Sequence, residues 1–235
     1  MISILFLRNS PMLSALLLVI SLAGQSPPAA NVQELIAPVR DAYAQVEARH
    51  SKLPPSQDDK DKLERLLELD QAGRAAISKM ALSTLTPDDR KAAIQAAMKE
   101  IEKHDLKSQI VLKDILARDG WIVESKYGEN AAKSAFLIVQ HATNDPAFMR
   151  RSLEMIKHAL DLKQVRPNAY ALLADRIALA FDGKPQIYGT QVDCRSGTWA
   201  PFDVLDPANL DVRRQQIGLK TEAEYLKNFA DEPCR

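Results

Sequence analysis

Apolar residues recur at spacings of three and four along most of the chain after Val32, which is typical of amphipathic helices. Proline, glycine and capping residues mark where these helices begin and end. The predicted segments are Val32–Arg49, Asp58–Leu82, Thr86 to about His104, Asp105–Arg118, Asn130–Ala142, Pro146 to about Lys163, Pro167 to Gly183, Asp206 to Gly218, and a last helix after Thr221. The expected fold is all-α, a compact multi-helix domain with at most one short hairpin or extended segment near residues 186–192.

Two of these helices are apolar on nearly every side, which is typical of buried helices. One is Asn130–Ala142, which ends at Gln140 and His141; the other begins at Ala169 and contains Asp175 and Arg176. Buried charges need polar partners. The sequence therefore predicts a polar cluster inside the protein, which includes the residues that follow the second helix: Gln186, Tyr188, Thr190 and Gln191.

Charged residues also interrupt the apolar face of the helix predicted over Asp58–Leu82. Asp70 and Arg74 lie within its apolar stripe, four residues apart with the acid first. That order favours an intrahelical ion pair. A surface pair is the simpler interpretation, but the position on the apolar face favours a buried pair.

The charge balance limits the classes of partner. The 235 residues carry 31 basic and 31 acidic side chains, so there is no electrostatic case for binding nucleic acid or an anionic membrane surface. This length allows one good-sized domain or two small ones. Glycine and aromatic residues are scarce, which also favours helices.

Residues 1–23 have the pattern of a cleaved signal peptide. Arg8 precedes an apolar run from Met12 to Ala23, and Ser21 and Ala23 are small enough for the cleavage site. The run is too short for a permanent membrane anchor. We therefore expect an exported, periplasmic or secreted protein with one domain over residues 31–235, cleaved after Ala23 or as late as Ala30. The alternative is that translation starts at Met12.

Export would favour a disulfide between the two cysteines, Cys194 and Cys234. The bond would close a loop of about forty residues and typically stabilise the fold by about 3–4 kcal/mol. Neither cysteine lies in a CxxC motif or near a histidine, so a structural role is favoured over redox catalysis.

No cofactor or metal site is expected from the sequence. His50, His104 and His158 lie on separate predicted helices, and the chain has no HExxH motif, no phosphate-binding glycine loop and no GxSxG motif.

Several short strings together resemble the bacterial family catalogued as domain of unknown function 6624. They are Leu69-Asp70-Gln71 with Arg74, Gly120-Trp121, Gln140-His141-Ala142, Ala174-Asp175-Arg176, the stretch from Gln186 to Gln191, and Asp211-Val212-Arg213-Arg214. The resemblance covers roughly Leu63 to Phe229. It implies a compact helical domain, often exported, with no established activity.

Two hypotheses for function follow, and whether the protein is an enzyme stays open. In the first, an exported domain has a polar cluster that is structural or binds a small anionic ligand through Arg176, Tyr188, Gln191, Gln186 and Gln140. In the alternative, a hydrolase or transferase uses His141 as acid/base and Arg176 as an anion clamp. The expected supporting residues are Asp70, Arg74, Asp175 and Arg213. Asp175 and Arg176 are adjacent and point about 100° apart on a helix, so both cannot face one pocket. The sequence does not identify a protein partner.

Overall fold

The computed structural model describes residues 31–231 and Cys234. The expected signal peptide, residues 1–23, and the later cleavage point at Ala30 lie outside the described residues.

Helices dominate the described residues, which confirms the all-α expectation. The ten α-helices are α1 (Val32–Leu35), α2 (Ala37–His50), α3 (Asp59–Ala76), α4 (Pro87–Asp119), α5 (Glu124–Tyr127), α6 (Glu129–His141), α7 (Pro146–Asp161), α8 (Pro167–Ile177), α9 (Leu210–Gln216) and α10 (Glu222–Leu226). Short 3-10 turns follow α3 and α10 and precede α9, and one π-helical turn, Ala178–Asp182, extends α8.

The small sheet is an antiparallel hairpin of β1 (Val192–Arg195) and β2 (Thr198–Pro201). Ser196 and Gly197 form its two-residue turn, and both have positive φ angles, as the favoured hairpin turn requires. The hairpin begins where the expected segment, residues 186–192, ends. Before Val192, only Gln186 of that segment forms a bridge, to Val204, because side chains bind most of the other backbone groups.

Two predicted helix boundaries were wrong. The segments expected to end at His104 and to start at Asp105 form one helix, α4, because no glycine or proline interrupts residues 88–119. The segment Val32–Arg49 instead divides at Ile36, just before Pro38, which lies in the first turn of α2.

The core consists of two clusters of buried apolar residues. The first lies among α6, α7, α8 and the C-terminal half of α4, and the second lies among α1, α2 and the N-terminal half of α4. Helix α3 contributes Leu63 to the first cluster and Ala76 to the second, so its middle residues lie between them. No helix among residues 31–231 has the length and apolar character needed to cross a membrane.

Gly73 allows α2 to approach α3 closely. A Cβ atom at this position would lie 2.4 Å from the hydroxyl oxygen of Tyr43. The Tyr43 ring stacks on His104 of α4, with ring centroids 3.5 Å apart. This contact brings α2, α3 and α4 together beside Arg74.

Candidate functional site

Asp175 holds the loop of residues 187–190 through four hydrogen bonds. Its Oδ1 accepts from the backbone N–H groups of Ile187 at 2.8 Å and Tyr188 at 3.0 Å. Its Oδ2 accepts from the backbone N–H and the hydroxyl of Thr190, both at 2.9 Å. Burial raises the pKa of Asp175, although these bonds oppose the rise. Because both oxygens only accept, the geometry fits a carboxylate that anchors the loop.

The buried side chain of Gln186 binds the backbone at the end of the same loop. Its Oε1 accepts from the backbone N–H of Gln191 at 2.6 Å, and its Nε2 donates to the carbonyls of Gln191 at 2.9 Å and Phe202 at 3.1 Å. The side chain is fully buried. Both groups of the amide are therefore engaged by the loop.

Two arginines of α9 bind the loop from its other side. Arg213 donates through Nε to the carbonyl of Ile187 at 3.0 Å and also contacts the carbonyls of Leu205 and Asp206. Arg214 donates to the carbonyl of Tyr188 at 2.5 Å and lies over the ring of Tyr225, 5.1 Å from its centroid. Both arginines therefore fix the loop conformation.

Tyr188 belongs to the loop but not to the surroundings of Arg176. Its ring packs edge-on against Tyr170, with centroids 6.1 Å apart. Tyr170 lies six residues before Arg176 on α8, which places the two side chains about 120° apart around the helix. The structure therefore does not bring the Tyr188 ring together with Arg176.

Arg176 is buried and has no acidic partner among the described residues. Its Nε and Nη2 donate to Oε1 of Gln191 at 3.2 and 3.0 Å, and its Nη1 donates to the backbone carbonyl of Gln140 at 3.2 Å. Only 7% of its surface is exposed. Burial and the nearby positive charge of Arg74 lower the pKa of Arg176 to about 10. Arg176 is therefore a protonated, buried cation at neutral pH.

Gln191 and Gln140 position this guanidinium. Gln191 donates from Nε2 to the carbonyl of Leu172 at 3.2 Å, which fixes its oxygen toward Arg176. Gln140 lies in the last turn of α6, where carbonyl groups favour a positive charge. The Oε1 atom of Gln140 is buried and has no hydrogen-bond partner in the described part of the chain. A buried amide oxygen without a donor is costly, so Gln140 is a second candidate contact for a ligand or a water molecule.

Arg214 is also buried without a close carboxylate, but its environment differs. Burial lowers the pKa of Arg214, while the charges of Tyr225, Asp211, Glu222 and Asp175 act to raise it. For Arg176 only Tyr225 acts to raise the pKa, and no carboxylate does. Of these two buried arginines, Arg176 therefore has less negative charge nearby.

His141 and Asp70 form a dyad between α6 and α3. Nδ1 of His141 lies 2.7 Å from Oδ1 of Asp70, and Nε2 of Gln71 donates to Oδ2 of Asp70 at 2.6 Å. Burial raises the pKa of Asp70, but His141, Arg74 and Gln71 together outweigh it and hold that pKa below its usual value. Burial lowers the pKa of His141 more than Asp70 raises it. His141 is therefore neutral near pH 7, and no described residue bonds its Nε2.

Arg74 binds a partner that the sequence interpretation missed. The expected buried pair exists, since Nη1 of Arg74 lies 3.2 Å from Oδ1 of Asp70. The stronger contact is a two-pronged pair with Asp105, with distances of 3.0 and 2.7 Å. Asp105 lies between buried Ile101 and Leu112 at helical spacing. An unbroken helix would have placed Asp105 on the buried face.

The predicted site residues thus divide into two groups. Asp175, Gln186, Tyr188 and Arg213 belong to the loop and its anchors. The second group, called the polar site from here on, combines Arg176 and its contacts Gln191 and Gln140 with the neighbouring cluster of His141, Asp70 and Arg74. Arg74 connects its members, because its charge affects the pKa values of both Arg176 and His141.

The predicted disulfide between Cys194 and Cys234 is present and ties the C-terminus to β1. Within residues 31–231 and Cys234, no group of three or more histidine, cysteine or acidic side chains is arranged to hold a metal ion.

The fold and the polar site define a mostly helical domain. Its interior holds a positive charge, that of Arg176, without an acidic partner among the described residues. The model of the family of unknown function DUF6624 matches residues 57–233, and the chain belongs to this family. The match contains the whole polar site and the disulfide-bonded Cys194. No curated protein and no solved structure matches the chain.

Proposed function

We propose that the protein binds a small anionic ligand in the polar site, with Arg176 as its cationic contact. One observation carries this proposal: the Arg176 guanidinium is buried and charged, and no carboxylate among the described residues lies within ion-pair distance of it. A buried charge is normally paired because its removal from water is costly.

The hydrogen bonds of Arg176 leave room for such a ligand. A guanidinium has five N–H donors. Three of these are used, one each by Nε, Nη1 and Nη2. The remaining donors, one on Nη1 and one on Nη2, have no acceptor among the described residues. Free N–H donors on the terminal nitrogens can bind the oxygens of a carboxylate or phosphate group.

The electrostatics of the site also favour an anion. Arg74 is neutralised by Asp70 and Asp105, yet its charge still lowers the pKa of Arg176. A bound anion would offset this repulsion and the loss of solvation together. The purely structural alternative is that Arg176 only links Gln191 to the end of α6.

A thermal-shift screen of carboxylates, phosphates and nucleotides tests the proposal. An anion that occupies the site should raise the melting temperature of the wild type but not of Arg176→Gln, because a ligand stabilises only the state it binds. Arg214→Lys is the matched control, since it changes a buried arginine of α9, away from the polar site, and should keep the ligand-induced shift. If no anion shifts the wild type and Arg176→Gln is strongly destabilised, Arg176 is structural.

The second candidate function is acid/base catalysis by His141 on the bound ligand, as in a hydrolase or transferase. Its support is the dyad geometry: Asp70 bonds Nδ1 of a neutral histidine at 2.7 Å, which leaves Nε2 able to accept a proton. A turnover assay on the ligands found in the screen tests it. Loss of turnover in His141→Gln with ligand binding unchanged supports catalysis, and equal turnover in both proteins contradicts it.

We also infer that the protein is exported. The disulfide between Cys194 and Cys234 supports this inference because such bonds persist in oxidising compartments. The signal-peptide pattern of residues 1–23 agrees with it. Cell fractionation with N-terminal sequencing tests the inference, and intact protein that begins at Met1 in the cytoplasm would contradict it.

A further inference from the structure

A groove of about 790 Å³ lies between the N-terminal halves of α6 and α8. Trp121 and Ile122 form a buried part of its lining, and Phe136 and Leu172 form a partly exposed part. Small-molecule sites usually have volumes of about 300–1,000 Å³ and mostly apolar linings. The groove therefore has the size and chemistry of a ligand site, although none of the predicted site residues line it.

Helix geometry leads from this groove to the polar site. Phe136 lies four residues before Gln140 on α6, and Leu172 lies four residues before Arg176 on α8. Residues four apart share a helix face and are separated by about 6 Å along the axis. Helical side chains also lean toward the N-terminus of their helix. Gln140 and Arg176 therefore lie one helical turn beyond Phe136 and Leu172. Their side chains lean back toward the groove.

A hydrogen-bond chain joins the two regions. The Oε1 of Gln191 accepts from Arg176, and its Nε2 donates to the carbonyl of Leu172. The same residue thus contacts both the cation and the backbone of the groove. Leu172, which lines the groove, is therefore joined to Arg176 through a single side chain, that of Gln191.

The charges around the groove favour an anionic occupant. Arg166 is 3.3 Å from Glu124 and 3.9 Å from Glu129, and these three rim charges sum to one negative charge. Lys133 and Lys163 also line the groove, and neither forms an ion pair with another described residue. The charged side chains of the lining therefore carry one net positive charge.

We propose that the groove holds the apolar chain of a single-chain carboxylate, whose carboxylate group binds Arg176. This inference rests on the proposed function and names its ligand class. Such a ligand matches three features of the region: the apolar floor of the groove, its positive rim, and the guanidinium of Arg176 one helical turn beyond the groove, which has no acidic partner among the described residues. An inorganic anion would leave the groove empty, and a neutral apolar molecule would leave Arg176 unpaired.

Calorimetric titration with butyrate, hexanoate, octanoate and decanoate, each below its micellar concentration, tests this inference. We expect the dissociation constant to fall roughly fourfold for each methylene group that enters the groove. Arg176→Gln should weaken the binding of all four acids. Ala132→Trp and Ala169→Trp, which each fill the groove with a large side chain, should abolish the dependence on chain length. Ala147→Trp, on an exposed position of α7, is the matched control and should preserve it.

Two results would overturn the inference and leave the proposed function intact. In one, short anions bind through Arg176 but affinity does not change with chain length. In the other, the dependence on chain length persists in both groove-filling variants, which would place the chain elsewhere. Failure of every anion to bind the wild type would instead contradict the proposed function itself. Melting curves of all variants identify any variant that fails to fold.

Discussion

Asp175 and Arg176 are adjacent in α8, yet the polar groups around their two charges differ. Asp175 accepts four hydrogen bonds from the loop that follows its own helix. Arg176 donates only to neutral oxygens, those of Gln191 and Gln140. One charge is therefore satisfied within the fold, and the other has no acidic partner among the described residues.

Asp175→Asn should destabilise the protein by about 3 kcal/mol, because the amide NH2 group only donates and would face two of the four donors that the carboxylate accepts from. Chemical denaturation measures the change in the free energy of unfolding. Asp182→Asn is the control, since Asp182 forms an exposed pair with Arg150 and its loss should have a much smaller effect. Equal effects of the two substitutions would show that Asp175 does not anchor the loop.

Arg176→Gln should change the free energy of unfolding by no more than about 1 kcal/mol, because relief of a buried unpaired charge offsets the three lost hydrogen bonds. Arg74→Gln should cost about 3–5 kcal/mol, because it leaves the buried charges of Asp70 and Asp105 without their partner. Urea denaturation of the two variants, without added anion, measures both values. A loss at Arg176 as large as the loss at Arg74 would indicate a structural arginine.

Stability should fall as the pH drops from neutral through about 6.5, because the folded-state pKa of His141 lies below its value in the unfolded chain, about 6.5. In this range the unfolded chain binds a proton more readily than the folded chain does. Burial also lowers the pKa of His104, which contributes with the same sign. The pKa of Asp70 is lowered too, so its contribution is lost only at more acidic pH.

Denaturation curves of the wild type and His141→Gln across this pH range measure the contribution of His141. The variant should lose part of the pH dependence and keep the part from His104. His158→Gln, at an exposed position of α7, is the matched control for the substitution itself. If His141→Gln matches the wild type at every pH, the buried dyad does not control stability.

Loss of the disulfide should destabilise the protein by about 3–4 kcal/mol, because the bond closes a long loop. The two cysteines are 40 residues apart in sequence. Comparison of the oxidised protein with the Cys194→Ser/Cys234→Ser double variant measures this loss. Mass spectrometry of the exported protein checks the bond directly, and free thiols at both positions would contradict it.

The helices and the buried charges could be predicted from the sequence because they depend on local pattern. The apolar stripes gave the positions of α2, α3, α6, α7 and α8, although α2 begins later and α3 and α8 end earlier than predicted. The burial of Asp70, Arg74, Asp175 and Arg176 followed from their positions among apolar residues. Burial depends on the helix face, and the helix face is set by residue spacing.

The partners of those charges could not be predicted, because they come from distant parts of the chain. Asp105 lies 31 residues from Arg74, and His141 lies 71 residues from Asp70. A wrong boundary at Asp105 also hid its place on the buried face of α4. The separation of Tyr188 from Arg176 depends on which way the loop turns after Gly183, and Asp175 fixes that turn through backbone N–H groups that carry no sequence signal.

The central claim is that Arg176 binds an anion, and a calorimetric comparison of wild type and Arg176→Gln tests it most directly. The titrant is the anion that gives the largest thermal shift in the wild type, at a single pH near 7. We predict binding at least about tenfold weaker in the variant, because charge-assisted hydrogen bonds contribute about 1.5–3 kcal/mol. Equal affinities in the two proteins, with both fully folded, would contradict the claim.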